Sequence, residues 1–182
     1  EEEQVRSAFR FAREVREDLV LILAPRHPHR AEEVGELCRR HELGLVRHSD
    51  GERCNSETSV LLLDTMGELL YFYAVSDIAF VGGSLVPVGG HNLMEAALLG
   101  LPVIMGPHLD NIDDIAALFL EEDALCLVND KQELSKELAE LCSDDARRSR
   151  LAANGERVIE ENRGALDRVE ALIEDALNDR SH

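Results

Sequence analysis

Short apolar runs alternate with segments of helical periodicity along almost the whole chain. Helical patterns lie before, between and after the apolar runs, at 3–17, 30–42, 67–75, 92–99, 111–121, 132–142, 144–161 and 165–178. Six runs are nearly continuous in Val, Ile and Leu and read as strands buried on both faces, at 19–24, 44–47, 60–63, 78–81, 102–105 and 125–128. The alternation predicts an α/β fold, a Rossmann-like parallel sheet with helices on both faces and a helical C-terminal tail.

The length and the first residues bear on the domain organisation. A chain of 182 residues fits one domain of ordinary size. It opens with EEEQVRSAFRFAREVRE, which is already helical in pattern, whereas in a βαβ fold a strand precedes the helix. We therefore expect residues 1–182 to form one domain that lacks its first strand and is part of a longer protein.

Composition excludes several classes of protein. Apolar residues make up 45% of the chain, and 37 acidic against 19 basic residues give a net charge of −18, which repels nucleic acid. The four cysteines are too widely spaced for a metal knuckle, and three lie in apolar periodic segments, as small core residues do in a reduced cytosolic protein. No apolar run approaches the roughly 18 residues of a membrane span. We expect a soluble fragment with no metal, no cofactor and no nucleic-acid partner.

Ligands of open parallel sheets bind beyond the carboxyl ends of the strands, so the loops after the apolar runs are the candidate sites. The loop after 19–24 presents Arg26, whose guanidinium can donate paired hydrogen bonds to a phosphate or a carboxylate. The alternative is a surface ion pair between Arg26 and Glu32 or Glu33. The loop after 60–63 contains Gly67 and Glu68, for which a functional and a structural role both remain open.

That second loop also carries helix-capping residues. Asp64 or Thr65 can cap the helix that follows, and Glu68 falls in its first turn. Capping leaves Gly67 unexplained, because a helix former there would be more favourable by up to about 1 kcal/mol.

The loop after 78–81 is rich in glycine. The stretch 81–107, which contains this loop and the helix and strand that follow it, reads VGGSLVPVGGHNLMEAALLGLPVIMGP. Glycines at 82, 83, 89 and 90 indicate that a ligand approaches the backbone closely. Amides at the start of the helix that Asn92 opens can bind a phosphate, and Glu95, one turn later, can accept hydrogen bonds from ribose hydroxyls. The alternative is a capping arrangement in which Asn92 or His91 begins the helix and Glu95 reaches back to its amides.

The chain lacks both common nucleotide signatures, G-x-G-x-x-G and G-x-x-x-x-G-K-[ST]. Nucleotide binding without either of them is typical of a nucleotide-sugar donor domain. Several linked segments in the same order resemble the C-terminal half of the Kdo (3-deoxy-D-manno-oct-2-ulosonic acid) transferases. They are PRHP at 25–28, LLLDTMGEL at 61–69, SDIAFVGGSLV at 76–86, GGHNLMEAALLGLPVIMGPH at 89–108 and ENRGAL at 161–166.

The resemblance implies the C-terminal domain of a GT-B glycosyltransferase that transfers Kdo from CMP-Kdo to a lipid A precursor, by an inverting mechanism without a metal. The residues that would bind CMP are Pro25, Arg26, Met66, Gly67, Glu68, Asn92, Leu93, Met94 and Glu95. In the transfer, amides at Gly90 and Asn92 would act with Arg26 to stabilise the departing phosphate. The family's aromatic-containing stretch is replaced here by residues 109–112, which leaves the contacts to the sugar there undefined.

The resemblance also implies what this chain does not do alone. The catalytic base and the acceptor site belong to an N-terminal domain, so we expect no catalytic residue in residues 1–182 and no transfer by this fragment. Membrane attachment, at the cytoplasmic face of the inner membrane, is expected only through the N-terminal region of the full-length protein. Two other functions remain open: a UDP-sugar-dependent GT-B transferase or epimerase, and a non-catalytic Rossmann-like interaction domain.

Overall fold

The structure is a computed structural model that describes residues 1–27 and 30–179. The strands are β1 (Leu21–Leu23), β2 (Leu45–Arg47), β3 (Val60–Leu62), β4 (Ala79–Phe80), β5 (Val103–Met105) and β6 (Leu125–Leu127). The helices are α1 (Glu2–Val15), α2 (Ala31–Arg40), α3 (Leu69–Tyr73), α4 (Met94–Leu98), α5 (Asp113–Glu121), α6 (Lys131–Ser143) and α7 (Asp145–Asp179). Every predicted strand is present in a shorter form, and the prediction of parallel strands alternating with helices is confirmed.

The strands form two parallel sheets, which we call the N-terminal sheet (order β1-β3-β2) and the C-terminal sheet (order β4-β5-β6). Successive side chains of a strand point to opposite faces, and β5 shows this with every residue buried. Val103 and Met105 pack with residues of α4, α5 and α7, whereas Ile104 packs with Ala8 of α1 and Leu134 of α6. The C-terminal sheet therefore has helices on both faces.

The N-terminal sheet is less completely covered. Val60 and Leu62 of β3 are fully buried, and Phe9 of α1 and Cys38 of α2 pack against Val60. All three residues of β1 are only half-buried. The prediction that the run 19–24 is buried on both faces is therefore wrong.

A cleft between the two sheets explains the partial exposure of β1. In the described residues β1 pairs only with β3, and β4 pairs only with β5. The free edges of β1 and β4 both contribute to the walls of a cleft of about 1630 Å³, which includes side chains from Leu21 to Leu23 and from Ile78 to Val81. We call the apolar part between these two strands the slot.

Helix α1 joins the two sheets. Its Ala8 belongs to the apolar cluster on the C-terminal sheet, and the next residue, Phe9, belongs to the cluster on the N-terminal sheet. α1 also packs against α6. One helix therefore contributes to both cores.

The tail of the chain is a single helix. We predicted two helices, 144–161 and 165–178, but α7 runs from Asp145 to Asp179 and includes Gly164. A glycine inside a helix costs only about 1 kcal/mol relative to alanine, so it need not end one. Earlier in α7, Gly155 packs against Ala97, and a Cβ there would make an ordinary van der Waals contact with the Ala97 Cβ at 3.4 Å. None of the helices in the described ranges is long and apolar enough to span a lipid bilayer.

Candidate functional site

The polar mouth of the cleft lies at the carboxyl ends of β1 and β4. It is lined by Pro25 and Arg26 from the loop after β1 and by His91, Asn92 and Glu95 from the segment after β4. The structure therefore brings together two of the three loops that the sequence predicts. Pro28 and His29, which end the first loop, lie outside the described residues.

Arg26 contacts the glycine-rich segment. Its guanidinium lies 3.1 Å from Nδ1 of His91, at the mouth of the cleft. The alternative of a surface ion pair with Glu32 or Glu33 is not what the structure shows, because Glu32 binds Arg39 and Arg47 instead. Arg26 is thus oriented by an uncharged partner and keeps its positive charge available to an anion.

The contact fixes the state of the His91 ring. A guanidinium only donates hydrogen bonds, so Nδ1 of His91 accepts, and the proton of the neutral ring resides on Nε2. Burial, followed by the charge of Arg26, lowers the pKa of His91, and nearby Glu1 opposes this shift in part. The neutral form is therefore favoured at physiological pH.

Three consecutive amides before this segment hold a carboxylate. The amides of Gly83, Ser84 and Leu85 donate to the side chain of Glu1, at N···O distances of 2.7, 3.1 and 2.9 Å. We call this group the amide cradle. Successive amides that converge in this way form an anion-binding nest. The anion in the cradle is supplied by the protein itself.

The glycines of the segment have structural reasons that the sequence does not reveal. Gly83, Gly89 and Gly90 have φ of 73°, 101° and 75°, in the left-handed region that favours glycine. A Cβ on Gly89 would lie 2.5 Å from Nδ2 of Asn111, and one on Gly83 would lie 3.1 Å from the His91 ring. Close approach is therefore real, but in the structure the approaching groups belong to the protein, so the glycines do not require a ligand.

Helix α4 begins later than the sequence predicts, at Met94 and not at Asn92. Asn92 Oδ1 accepts a hydrogen bond from the Met94 amide at 3.0 Å, and Asn92 Nδ2 lies 3.4 Å from Glu95 Oε1. The capping alternative is wrong, because Leu93 occupies the N-cap position of α4 and the helix has no side-chain cap. Glu95 contacts the side chain of Asn92 and not the backbone amides at the helix start. The predicted phosphate contact of the Gly90 amide is wrong, because that amide donates to the carbonyl of Gly83 at 2.8 Å.

Two carboxylates shape the loop after β3. Glu68 accepts a short hydrogen bond from Thr65 and lies 3.2 Å from Nε2 of His48, whose ring meets Phe72 edge-on. The hydrogen bonds from Thr65 and then His48 lower the pKa of Glu68. Glu68 is therefore held as a carboxylate beside α3.

Asp64 ties this loop to the segment after β2. Its carboxylate accepts from the amide and the hydroxyl of Ser49, at 2.9 and 2.7 Å. Burial raises the pKa of Asp64, but these hydrogen bonds outweigh burial and the pKa lies below its ordinary value. The predicted capping of α3 by Asp64 or Thr65 is wrong, because α3 has no side-chain cap.

The remaining predicted residues differ in what they can offer a ligand. Gly67 has φ of 82° with nothing within 4 Å of a Cβ, so its backbone conformation alone explains a glycine. Met66 is 72% exposed, and Met94 is exposed as well. The side chain of Leu93 is buried in the core of the C-terminal sheet, so only its backbone is available to a ligand. Met66, Gly67 and Glu68 do not line the cleft, but Phe72 and Tyr73 of the adjoining α3 do.

Tyr73 links α3 to α4. Burial, and then the charge of Glu95, raises the pKa of Tyr73, so the phenol stays protonated beside that carboxylate. The described residues contain no group of three or more His, Cys, Asp or Glu placed to hold a metal.

Sequence reasoning missed three residues that shape the site: Glu1, His48 and Ser49. His48 and Ser49 follow β2, and the rule that ligands bind beyond strand ends applies to that strand as well. The same rule would therefore have indicated them. Nothing in the local sequence distinguishes Glu1 from Glu2 and Glu3.

Comparisons with known proteins agree on one family. No protein-family model matches the chain. The chain is 41% identical over 157 residues to a 3-deoxy-D-manno-octulosonic acid transferase of Haemophilus influenzae, and 34% identical over 159 residues to one of Bordetella pertussis. These alignments cover 86% and 87% of the chain, but only 37% of each relative.

A solved structure matches in fold and sequence. It is the crystal structure of the C-terminal CMP-Kdo binding domain of WaaA from Acinetobacter baumannii. The two chains are 36% identical with a TM-score of 0.82, over 87% of this chain and 83% of that one.

The fold is Rossmann-like, with parallel strands, covering helices and a polar cleft at the strand ends. Its match to the WaaA domain places it among the glycosyltransferase-type domains of this fold. The chain belongs to the family of the 3-deoxy-D-manno-octulosonic acid transferases and corresponds to their C-terminal domain. The resemblance seen in the sequence is confirmed.

Proposed function

We propose that this chain binds CMP-Kdo and is the donor domain of a transferase that moves Kdo onto a lipid A precursor. The observation that supports this most directly is the meeting of Arg26 with the Asn92 and Glu95 segment at the mouth of one cleft, at the carboxyl edge of the sheets. The similarity to a CMP-Kdo binding domain names the nucleotide, which geometry alone does not.

Each group has a role that suits a cytidine monophosphate sugar. Arg26 is the cation for the phosphate, because a guanidinium donates paired hydrogen bonds to phosphate oxygens. Glu95 and Glu68 are carboxylates, which accept hydrogen bonds from ribose hydroxyls or from the amino group of cytosine. Exposed Met66, together with Pro25 at the opposite loop, offers apolar contact to the base. The backbones of Gly67, Leu93 and Met94 and the side chain of Asn92 complete the proposed contacts.

Arg26 is also the group that favours departure of CMP. Negative charge grows on the phosphate as its bond to the sugar breaks, and a fixed guanidinium stabilises that charge. No residue of this chain is proposed as the base, which acts on the acceptor hydroxyl from the N-terminal domain. We propose an inverting transfer that uses no metal, in which this chain supplies only the leaving-group side.

The slot between the sheets supports the proposal that a further strand precedes α1. Helix α1 begins beside the carboxyl end of β4, where Glu1 meets the amide cradle, and β1 follows α1 after a short turn. A strand that leads into α1 would run parallel to β1 and β4 and would pair with the free edge of each. We propose that such a strand of the full-length protein completes one continuous sheet, and that an N-terminal acceptor domain precedes it. The chain spans about 37% of the curated relatives, which leaves room for both.

The acceptor and the location concern the longer protein. We propose that the lipid A precursor binds the N-terminal domain and that the N-terminal region holds the enzyme at the cytoplasmic face of the inner membrane. The donor domain then faces CMP-Kdo in solution.

Calorimetric titration with CMP and UDP tests the proposal. We expect CMP to bind and UDP to bind far more weakly. Arg26→Ala removes a charged hydrogen-bond donor and should weaken CMP binding by about tenfold or more, because such bonds are worth about 1.5–3 kcal/mol. Arg40→Ala is the matched control, since Arg40 is exposed at the far end of α2.

The alternatives give different results. Preference for UDP would favour a UDP-sugar transferase or epimerase, and equal CMP affinity in wild type, Arg26→Ala and Glu95→Gln would favour an interaction domain. Kdo transfer by the isolated chain would contradict the absence of a catalytic base.

A further inference from the structure

Glu1 and the amide cradle lie beside the proposed phosphate site without belonging to any of the predicted contacts. The side chain of Glu1 is 16% exposed, and its carboxylate takes all three cradle hydrogen bonds. Three amide donors stabilise one partly buried charge, so the contact is a strong constraint on residues 83–85.

The cradle in turn holds His91 in place. The Gly83 carbonyl accepts from the Gly90 amide at 2.8 Å, and the Gly82 carbonyl accepts from the His91 amide at 3.1 Å. The ring of His91 packs on Gly83, where a Cβ would approach it to 3.1 Å. The backbone and the ring of His91 are thus both set by residues that Glu1 clamps.

His91 transmits this constraint to Arg26. Its Nδ1 is the hydrogen-bond partner of the guanidinium, at 3.1 Å. The charged and titratable groups around the ring are Arg26 and His27 from the loop after β1 and Glu1 from the start of α1. A connected path therefore leads from the Glu1 carboxylate through the cradle and His91 to the proposed phosphate ligand.

We propose that Glu1 is a positioning residue of the donor site, which acts through the amide cradle and His91 to orient Arg26 toward the phosphate of the nucleotide. The inference rests on the proposed function for the identity of the ligand. Glu1 lines the same cleft as Arg26, but the role proposed for it is exerted through the cradle and not by contact with the ligand. His91 serves as the intermediate link and accepts the hydrogen bond from Arg26 only while its ring is neutral.

A double-mutant cycle tests the path. CMP affinity is measured by calorimetry for wild type, Glu1→Gln, Arg26→Ala and the double variant, with Glu3→Gln as the matched control on the exposed side of α1. We expect Glu1→Gln to weaken CMP binding by about tenfold, because a neutral amide satisfies the cradle incompletely. When Arg26 is already alanine, Glu1→Gln should lower CMP affinity by less than twofold, because the side chain that Glu1 is proposed to orient is then absent. Glu3→Gln should bind as wild type does.

The His91 link is tested by two variants. His91→Asn places an oxygen acceptor near the position of Nδ1 and should retain most of the affinity, whereas His91→Ala should resemble Arg26→Ala. Wild-type affinity in Glu1→Gln, or independent and additive losses from Glu1→Gln and Arg26→Ala, would overturn the proposal.

A readout without nucleotide separates this inference from the proposed function. The ¹⁵N shifts of the His91 ring report which nitrogen carries the proton, and in wild type we expect Nδ1 to be the acceptor. Failure of wild type to bind CMP would refute the proposed function. The positioning role would then be judged on the ring alone: a changed tautomer population in Glu1→Gln supports it, and an unchanged spectrum overturns it.

Discussion

β1 and β5 are both three-residue apolar strands with a central isoleucine, yet they lie in very different surroundings. Ile104 of β5 has no exposed surface and packs between helices α1 and α6, whereas Ile22 of β1 is half-buried at the slot. β5 is the central strand of the C-terminal sheet and has helices on both faces, whereas β1 is an edge strand that, in the described residues, pairs only with β3. A short apolar run therefore corresponds to a fully buried strand in the C-terminal sheet and to a half-buried strand in the N-terminal sheet.

The site uses both sheets. Arg26 and Glu68 follow strands of the N-terminal sheet, and His91 and Glu95 follow β4 of the C-terminal sheet. Arg26, which follows β1 of the N-terminal sheet, contacts His91, which follows β4 of the C-terminal sheet. The residues proposed to bind the donor are therefore divided between a sheet with a fully buried central strand and a sheet with a half-buried edge strand.

The largest expected effect compares the two isoleucines directly. Ile104→Ala should lower the free energy of unfolding by about 3–4 kcal/mol, in the range for a buried isoleucine, and Ile22→Ala by about 1 kcal/mol. Urea denaturation followed by circular dichroism measures both. In a longer version of the chain that includes the native residues before Glu1, the cost of Ile22→Ala should rise toward that of Ile104→Ala. Equal losses in the present chain would show that the slot is closed.

The second prediction compares the same helix ending in the two halves. Glu42 after α2 and Asp123 after α5 have φ of 55° and 51°, a conformation that strains residues other than glycine. In both turns the next amide bonds back into the helix, from Leu43 to Cys38 and from Ala124 to Phe119, as in a Schellman motif. Glu42→Gly and Asp123→Gly should therefore each stabilise the fold, by about 0.5–1 kcal/mol for Glu42→Gly.

The gain at Asp123 should be the smaller of the two. Its carboxylate lies 3.6 Å from Arg150, and the glycine variant loses this exposed ion pair. Thermal denaturation of the two variants, with Asp110→Gly as a loop control, measures the difference. Destabilisation of either variant would contradict the assignment of strain.

The smallest expected effect concerns pH and the link between the halves. The pKa of His91 is lowered by burial and by Arg26, so the unfolded chain takes up a proton near pH 6.5 before the folded chain does. The contribution of His91 to the free energy of unfolding is fully present above about pH 6.5. It decreases as the pH falls from there to the lower pKa of the folded state, and it does not change further below that pKa. Because the ring is partly solvated, we expect well under about 1 kcal/mol of change.

His91→Asn isolates this contribution. Urea denaturation at pH 7.5 and 5.8 should show a smaller loss in the variant than in wild type. CMP binding is measured over the same pH range in wild type and in His91→Asn. The phosphate of CMP titrates near pH 6 in both experiments, so only the difference between the two proteins reports on His91. Identical pH dependence in wild type and His91→Asn would contradict the role of the neutral ring.

Much of the fold is predictable because buried parallel strands have little choice of residue. The runs at 19–24 and 78–81 were recognisable from composition alone, and the loops that follow them could be identified as neighbours from topology. Arg26 and Glu95 were found in this way. The limits of the helices were less predictable: Asn92 accepts a hydrogen bond from the Met94 amide but lies before α4, outside the helix that it was expected to open.

The contacts within the site could not be predicted for a different reason. Gly83 and Gly89 need their glycines because of His91 and Asn111, which approach only in the folded chain. The Glu1 carboxylate meets amides more than eighty positions away, as with Ser84 at a separation of 83. Local propensity carries no information on such distant pairs. Only a family resemblance named the ligand.

The open edges of β1 and β4 have a consequence for how the isolated chain behaves at high concentration. Free strand edges are templates on which copies of a protein can pair, and a net charge of −18 keeps the copies apart. Added salt shortens the reach of that repulsion from about 10 Å at 0.1 M to about 3 Å at 1 M. Concentrated salt should therefore promote self-association of the chain relative to dilute buffer.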